Sequence, residues 1–213
     1  MPKLHRKRSL LAKIESSYGS DPTATGSANY VEVVDLEIEP VASDEVEQET
    51  IRPYPGNYPV LLANTRVNLS FGVYMVGSGA AGTAPKYDPI LKACGLSAAT
   101  VSSTSVTYTP STLASQSSCT FYVNYDGVRH KITGARGTFS ISCAVNEIPR
   151  INFEMQGIFN TPTDTALPTV TKSLQPDPVL FKNGNTSSFS VFGFSAALQS
   201  WELDFANEVI YRE

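Results

Sequence analysis

The chain has 213 residues, enough for one substantial core or two small ones. Only 17% of them are charged against 41% apolar, with 14 glycines and 14 prolines, a balance that suits an all-β protein rich in turns and disfavours a helical bundle. A formal net charge of -4 excludes the broad basic footprint of a protein that grips nucleic acid over its whole surface.

The charge is unevenly spread along the chain. Lys3, Arg6, Lys7, Arg8 and Lys13 make the start basic, whereas Glu32 to Glu49 holds eight acidic residues and no basic one. The apolar piece Leu10-Leu11-Ala12 is too short for a secretory leader, and no run approaches the roughly 20 residues of a transmembrane helix. Residues 1–28 become Ser/Gly/Thr-rich after the basic start and read as an arm that folds only against something else. Tyr30–Glu39 alternates as a strand, with Val34, Leu36 and Ile38 on one face and Asp35, Glu37 and Glu39 on the other. Residues 40–60 read as a long loop, acidic and then proline-rich, because Pro53, Pro55 and Pro59 exclude a central strand.

The clearest strand follows: Val67, Leu69, Phe71, Val73 and Met75 alternate with Asn68, Ser70, Gly72 and Tyr74. A flexible connector, Gly77–Ala84, leads to Asp88, Pro89 and Gly95, which frame a short helix over Ile90–Cys94. Here Asp88 is the expected N-cap, and Ile90, Leu91 and Cys94 are the expected plug of the sheet. From Thr120 the chain reads as continuous β-structure. Asp126-Gly127 between alternating runs predicts a two-residue hairpin pairing Tyr125 with Val128, Asn124 with Arg129, Val123 with His130 and Tyr122 with Lys131. Phe139, Ile141, Cys143 and Val145 form a buried face backed by Ser140 and Ser142. After a turn at Asn146-Glu147, Ile151, Phe153, Met155 and Gly157 are backed by Asn152, Glu154 and Gln156. Residues 161–188 read as irregular, and 189–198 and 203–211 close a single domain spanning 29–213, with no internal repeat.

Little in this pattern supports catalysis. The two histidines are His5, in the expected arm, and His130, expected to pack inside a hairpin, so neither meets a nucleophile and an orienting carboxylate. Cys94, Cys119 and Cys143 lack CxxC spacing and read as reduced structural thiols, which fits synthesis in a cytosol. The acidic 32–49 segment lacks calcium-loop spacing, and GSGAAG at 77–82 lacks the strand and long helix of a dinucleotide site. No cofactor and no metal are expected. The KLHRKR start reads as a solvated tail or as an arm docking on the acidic segment of another copy, and only weakly as a nucleic-acid contact. Several strands carry a small polar face without lysine gatekeepers. Such edges are hazardous unless they pair with neighbours, as in a ring of subunits that closes one barrel.

Three stretches resemble the tail tube proteins (major tail proteins) of long-tailed, non-contractile bacteriophages, the siphophages. They are RKRSLLAKIESSYGSDPTATGSANYVEV, RPYPGNYPVLLANTRVNLSFGVYMVGSGAAGTAPKYDPILKACG and YVNYDGVRHKITGARGTFSISCAVNEIPRINFEMQGIFN, covering most of 3–160. The resemblance implies an all-β fold, a β-sandwich or barrel with one short flanking helix. Hexameric rings would stack into a virion tail tube, each subunit lending about four strands to a continuous inner barrel. About 24 strands tilted near 40° give a backbone diameter of roughly 48 Å and a lumen of roughly 35–40 Å. Implied partners are the chain itself, a tape measure protein, a tail terminator, a distal tail protein, and DNA that passes without specific binding; no membrane is implied. A wall for sliding DNA should be polar and poor in cations. That makes Asp35, Glu37, Glu39, Asn68, Ser70, Ser140, Ser142, Asn152, Glu154 and Gln156 the candidate lumen residues. Arg6, Lys7, Arg8, Arg52, Tyr54, Tyr58, Arg66 and Arg129 are candidates for contacts between subunits or rings. Two other readings stand beside this one. The first is a tail terminator, or the tube of a contractile or secretion apparatus. The second is a carbohydrate- or surface-binding sandwich using Tyr54 and Tyr58.

Overall fold

A computed structural model describes residues 7–48, 50–172, 175–182, 184–185, 190–195 and 198–211. In chain order these form β1 (Arg8–Ile14), β2 (Tyr30–Val31), β3 (Val34–Glu47), β4 (Val60–Tyr74), α1 (Asp88–Ala93), β5 (Leu96–Val101) and β6 (Ser105–Pro110). There follow β7 (Cys119–Tyr125), β8 (Val128–Ala144), β9 (Arg150–Phe159), β10 (Thr163–Asp164), β11 (Ser190–Val191), β12 (Phe194–Ser195) and β13 (Ser200–Asp204). One large antiparallel sheet runs β2-β1-β7-β8-β9-β4-β3, with β10 and β13 also pairing β8, and two small hairpins stand beside it. The expected all-β fold with one short helix is therefore present.

The register of the Asp126-Gly127 hairpin is the expected one, residue for residue. Gly127 supplies the positive φ (+93°) that such a turn demands. Period-two alternation then does the packing. Val67, Leu69, Phe71 and Val73 of β4 and Ile151, Phe153 and Met155 of β9 turn to one side, with Phe71 stacked on Phe153 at 5.4 Å. Helix α1 covers this layer through Ile90, Leu91 and Ala93, and the Cys94 sulfur touches that of Met155 at 3.7 Å. The expected plug is thus in place.

Several local expectations change; Met75 and Val145, expected on apolar faces, lie just past the ends of β4 and β8 and are exposed. Arg8–Ile14 is not an arm but a strand paired with β7 over seven positions. Leu10-Leu11-Ala12 is a continuous apolar run because it is buried on both faces: Leu10 and Ala12 join the main core, while Leu11 joins Ala24 and Tyr122 in a second cluster. Residues 40–47 belong to β3 rather than to a loop. Pro40 is tolerated because β3 is an edge strand with register shifts on either side of Ala42. The N-cap of α1 is Tyr87 rather than Asp88. Asp88 sits in the first turn, bonded to Lys92 Nζ (2.8 Å) and to the hydroxyl of Tyr108 (2.8 Å). His130 is half-buried, edge-on to Tyr125, rather than enclosed.

The second cluster is sealed by the segment between β1 and β2. Tyr122 donates its hydroxyl to both oxygens of Asp21 (2.7 Å each), and Lys131 Nζ lies 3.3 Å from Asp21 Oδ2. Burial alone would raise the Asp21 carboxyl, but Tyr122, the Thr23 amide and Lys131 outweigh it and hold the pKa below its usual value. A depressed folded value stabilises the fold above the unfolded carboxylate pKa of about 3.9. We expect Asp21→Asn to cost about 1 kcal/mol at neutral pH, a figure discounted for partial exposure. The difference should vanish as pH falls through the depressed folded value, which denaturant melts of both proteins at neutral and acid pH would check.

Candidate functional site

Alternation along each strand, combined with the ladder registers, gathers the polar residues of the large sheet onto one face. Glu37 lies opposite Ser70, Ser70 opposite Glu154, and Glu154 opposite Thr138. The next row runs Glu39, Asn68, Gln156 and Arg136, and on the other side Asn152 pairs with Ser140 and Ser140 with Asp204 of β13. Asp35, at a register shift with φ of +52°, reaches across to Arg150 NH1 at 2.7 Å. All ten lumen candidates therefore share this face, spread over β3, β4, β9 and β8.

Side chains on this face are tied to one another. Gln156 Nε2 donates to Asn68 Oδ1 (3.1 Å), and Asn68 Nδ2 donates to Glu39 Oε2 (2.6 Å), so one chain of bonds spans three strands. The cations here are engaged: Arg150 with Asp35, and Arg136 over the ring of Tyr18 at 5.1 Å. Glu37, Glu39 and Glu154 take part in no ion pair among the described residues. The face presents carboxylates, amides and hydroxyls with few positive charges among them, and the buried Arg136 Nε has no hydrogen-bond partner among the described residues. Sequence reading missed Arg136, Thr138, Arg150, Glu202 and Asp204 on it, although each obeys the same alternation.

The contact candidates divide between two places. Arg6 lies outside the described residues. Lys7 pairs with Asp126 (3.7 Å), and Arg8 donates to the Leu36 carbonyl (3.0 Å) and lies over Tyr125. Arg129 bonds Asn124 Oδ1 (3.0 Å) and covers Tyr122. These three side chains tie their own subunit together at one end of the sheet. Arg66 instead pairs with Asp44 at the root of a ribbon, where β4 makes its last pair with β9, Arg66 opposite Ile158. Beyond that point only β3 and β4 remain, and Val46, Leu61 and Leu62 are exposed. Arg52 over the Tyr58 ring (5.6 Å) and an exposed Tyr54 lie in the loop that joins them. A two-stranded ribbon has little stability of its own, and exposed apolar side chains on it mark a surface made for contact.

Burial pushes the thiols of Cys94, Cys119 and Cys143 up, so they stay protonated at neutral pH. Among the described residues no three His, Cys, Asp or Glu side chains stand together as a metal site, and no helix is long and apolar enough to cross a membrane.

A family model described as phage tail tube protein matches residues 6–211. No curated protein matches the sequence. Among solved structures, the chain is similar to one in the cryo-EM structure of the anti-feeding prophage cap, described as a tube terminating cap. The two are 12% identical, the match covers 78% of this chain and 93% of that one, and the TM-score is 0.45.

Proposed function

Because the chain belongs to the phage tail tube protein family, we propose that its copies close into hexameric rings and that the polar sheet face lines the lumen through which the genome leaves. The protein is a structural component of a virion tail tube. The long, non-contractile tail is our reading from the sequence resemblance. The observation that carries the lumen assignment is the single face on which Glu37, Glu39, Ser70, Asn152, Glu154 and Gln156 meet. A wall of this kind repels phosphate weakly and offers it no free cation, so a duplex slides instead of sticking.

Four strands, β3, β4, β9 and β8, carry that face. Six copies supply about 24 strands and a barrel roughly 48 Å across at the backbone. The exposed ribbon and the Arg52–Tyr58 loop suit contact with the next ring, where tyrosine and arginine combine area with directed bonds. A tape measure protein inside, a terminator at one end and a distal tail protein at the other complete the set of partners in this reading. Assembly takes place in the host cytoplasm.

Negative-stain electron microscopy across a concentration series tests the assembly. Hollow tubes or six-fold rings with a hole of roughly 35–40 Å are expected. A chain that stays monomeric even with added tail initiator complexes would overturn it. The lumen assignment has its own test in Glu37→Lys with Glu154→Lys. Particles should still form, but genome ejection should slow by about tenfold or more and recover with added salt, because the new cations bind phosphate. An unchanged rate at low salt would remove this face from the lumen.

A further inference from the structure

The strand β13 sits at an instructive place. It pairs with Ser140–Ala144 of β8, on the side of β8 opposite β9, and so occupies one edge of the four-stranded polar wall. The other edge of that wall is β3, which ends the sheet. All five residues of β13 are exposed, Trp201 by 39% and Leu203 by 44%. Its hold on the sheet is the five-pair ladder, the stack of Phe205 on Phe139 at 4.9 Å, and flanking bonds: Val145 N–H to the Gln199 carbonyl, Phe205 N–H to the Phe139 carbonyl, and Asn207 to Thr138 Oγ1 and the Gly137 carbonyl.

We infer that β13 is a stand-in, in the free subunit, for β3 of a second copy, and that ring closure exchanges the one for the other along the β8 edge. The inference rests on the ring reading above. Three observations lead to it. First, the two segments carry the same pattern. Trp201-Glu202-Leu203-Asp204 and Leu36-Glu37-Ile38-Glu39 both alternate apolar with acidic residues. In both, the acidic residues join the polar face: Glu202 opposite Ser142 and Asp204 opposite Ser140, as Glu37 is opposite Ser70 and Glu39 opposite Asn68. At the β8 edge, exchange puts one pair of carboxylates in the place of another.

Second, the directions agree. The pairs β3–β4, β4–β9, β9–β8 and β8–β13 are all antiparallel, so β3, β9 and β13 run the same way. In a cyclic ring every copy has the same orientation. A second copy's β3 laid directly on β8 continues strict antiparallel alternation, four strands per copy. With β13 left in place each copy would contribute five, and every junction would be a parallel β13–β3 pair, the weaker arrangement per residue. Third, both edges are short. On β3 the Leu36 carbonyl is taken by Arg8, and Pro40 has no N–H to donate, so the usable edge is the short stretch between them. The ladder that β13 makes is also short, five pairs against the three residues Glu37, Ile38 and Glu39. Until a second copy arrives, β13 keeps the β8 edge from pairing indiscriminately.

A reversible lock tests the exchange. Trp201 lies directly opposite Cys143, so Trp201→Cys places two thiols on facing positions, while Cys94 and Cys119 are buried away from them. Oxidised and verified by mass, the variant should lose the ability to form rings or tubes, and reduction should restore it. Locked protein that assembles like the wild type would overturn the inference and leave the ring reading intact. If neither the reduced variant nor the wild type assembles, the ring reading falls and the inference with it. Hydrogen exchange on the unmodified chain gives a second measurement. On assembly the amides of 200–204 should lose protection while those of 140–144 keep theirs, and retained protection of 200–204 in tubes would equally overturn the exchange.

Discussion

Gly137→Ala should destabilise the subunit by about 4 kcal/mol, more than a typical overpacked position, because the clash is with backbone. A Cβ built at Gly137 would stand 2.0 Å from the Glu154 carbonyl oxygen, 2.6 Å from the Met155 sulfur and 2.9 Å from the Met155 Cα. Met155 can rotate its thioether away, but the carbonyl is part of the β8–β9 ladder, in which Gly137 faces Met155. Relief requires the two strands to part, with loss of about two ladder bonds worth roughly 1 kcal/mol each and of packing around Met155. Thr138 and Glu154, the neighbouring residues on the polar face, would move with them. Gly77→Ala is the matched control, since nothing lies within 4 Å of its added Cβ and its φ is not positive. Urea melts should give a large drop in midpoint for the first and almost none for the second. A loss below about 1 kcal/mol at Gly137 would mean that β8 and β9 are not paired in this register.

Glu15→Ala comes next, at about 3 kcal/mol. Its carboxylate accepts four hydrogen bonds from three parts of the chain. The donors are the Gly19 amide (2.8 Å), the Ser118 hydroxyl (2.6 Å), the Thr120 hydroxyl (2.5 Å) and the Gly134 amide (2.7 Å). Thr120 and Ser118 are buried, so truncation leaves their hydroxyls without an acceptor, each costing about 1–3 kcal/mol less whatever entering water recovers. Glu15→Gln keeps one acceptor oxygen and should lose about half as much. Equal losses for the two variants would show that the charge, and not the number of acceptors, holds the junction.

Glu15 also shows where sequence reading stops. Its partners at 118, 120 and 134 lie more than a hundred residues along the chain, and nothing local announces them. What was legible is what period two and turn chemistry encode: the Asp126-Gly127 register, the parity of Asn68 and Ser70 or of Asn152, Glu154 and Gln156, and the helix before Gly95. Parity assigns a residue to a face but leaves open which strands lie side by side, so the bond chain from Gln156 to Glu39 could not be foreseen. Leu10-Leu11-Ala12 hid β1 because a strand buried on both faces shows no alternation. The β5–β6 hairpin escaped notice in a run of serines and threonines, where the apolar side chains that would mark a face are sparse.

The contrast between two ladders has a mechanical consequence. The β4–β9 pairing runs through nine consecutive pairs without a shift, whereas β3 against β4 is interrupted three times, twice around Ala42 at the root of the exposed ribbon. An unbroken ladder resists shear, while each irregularity adds a local bend and a looser joint. In the proposed tube, load passed from one copy to the next through the ribbon is therefore taken up as flexure at its root, and the wall behind it keeps its bore. A filament built this way can curve without pinching.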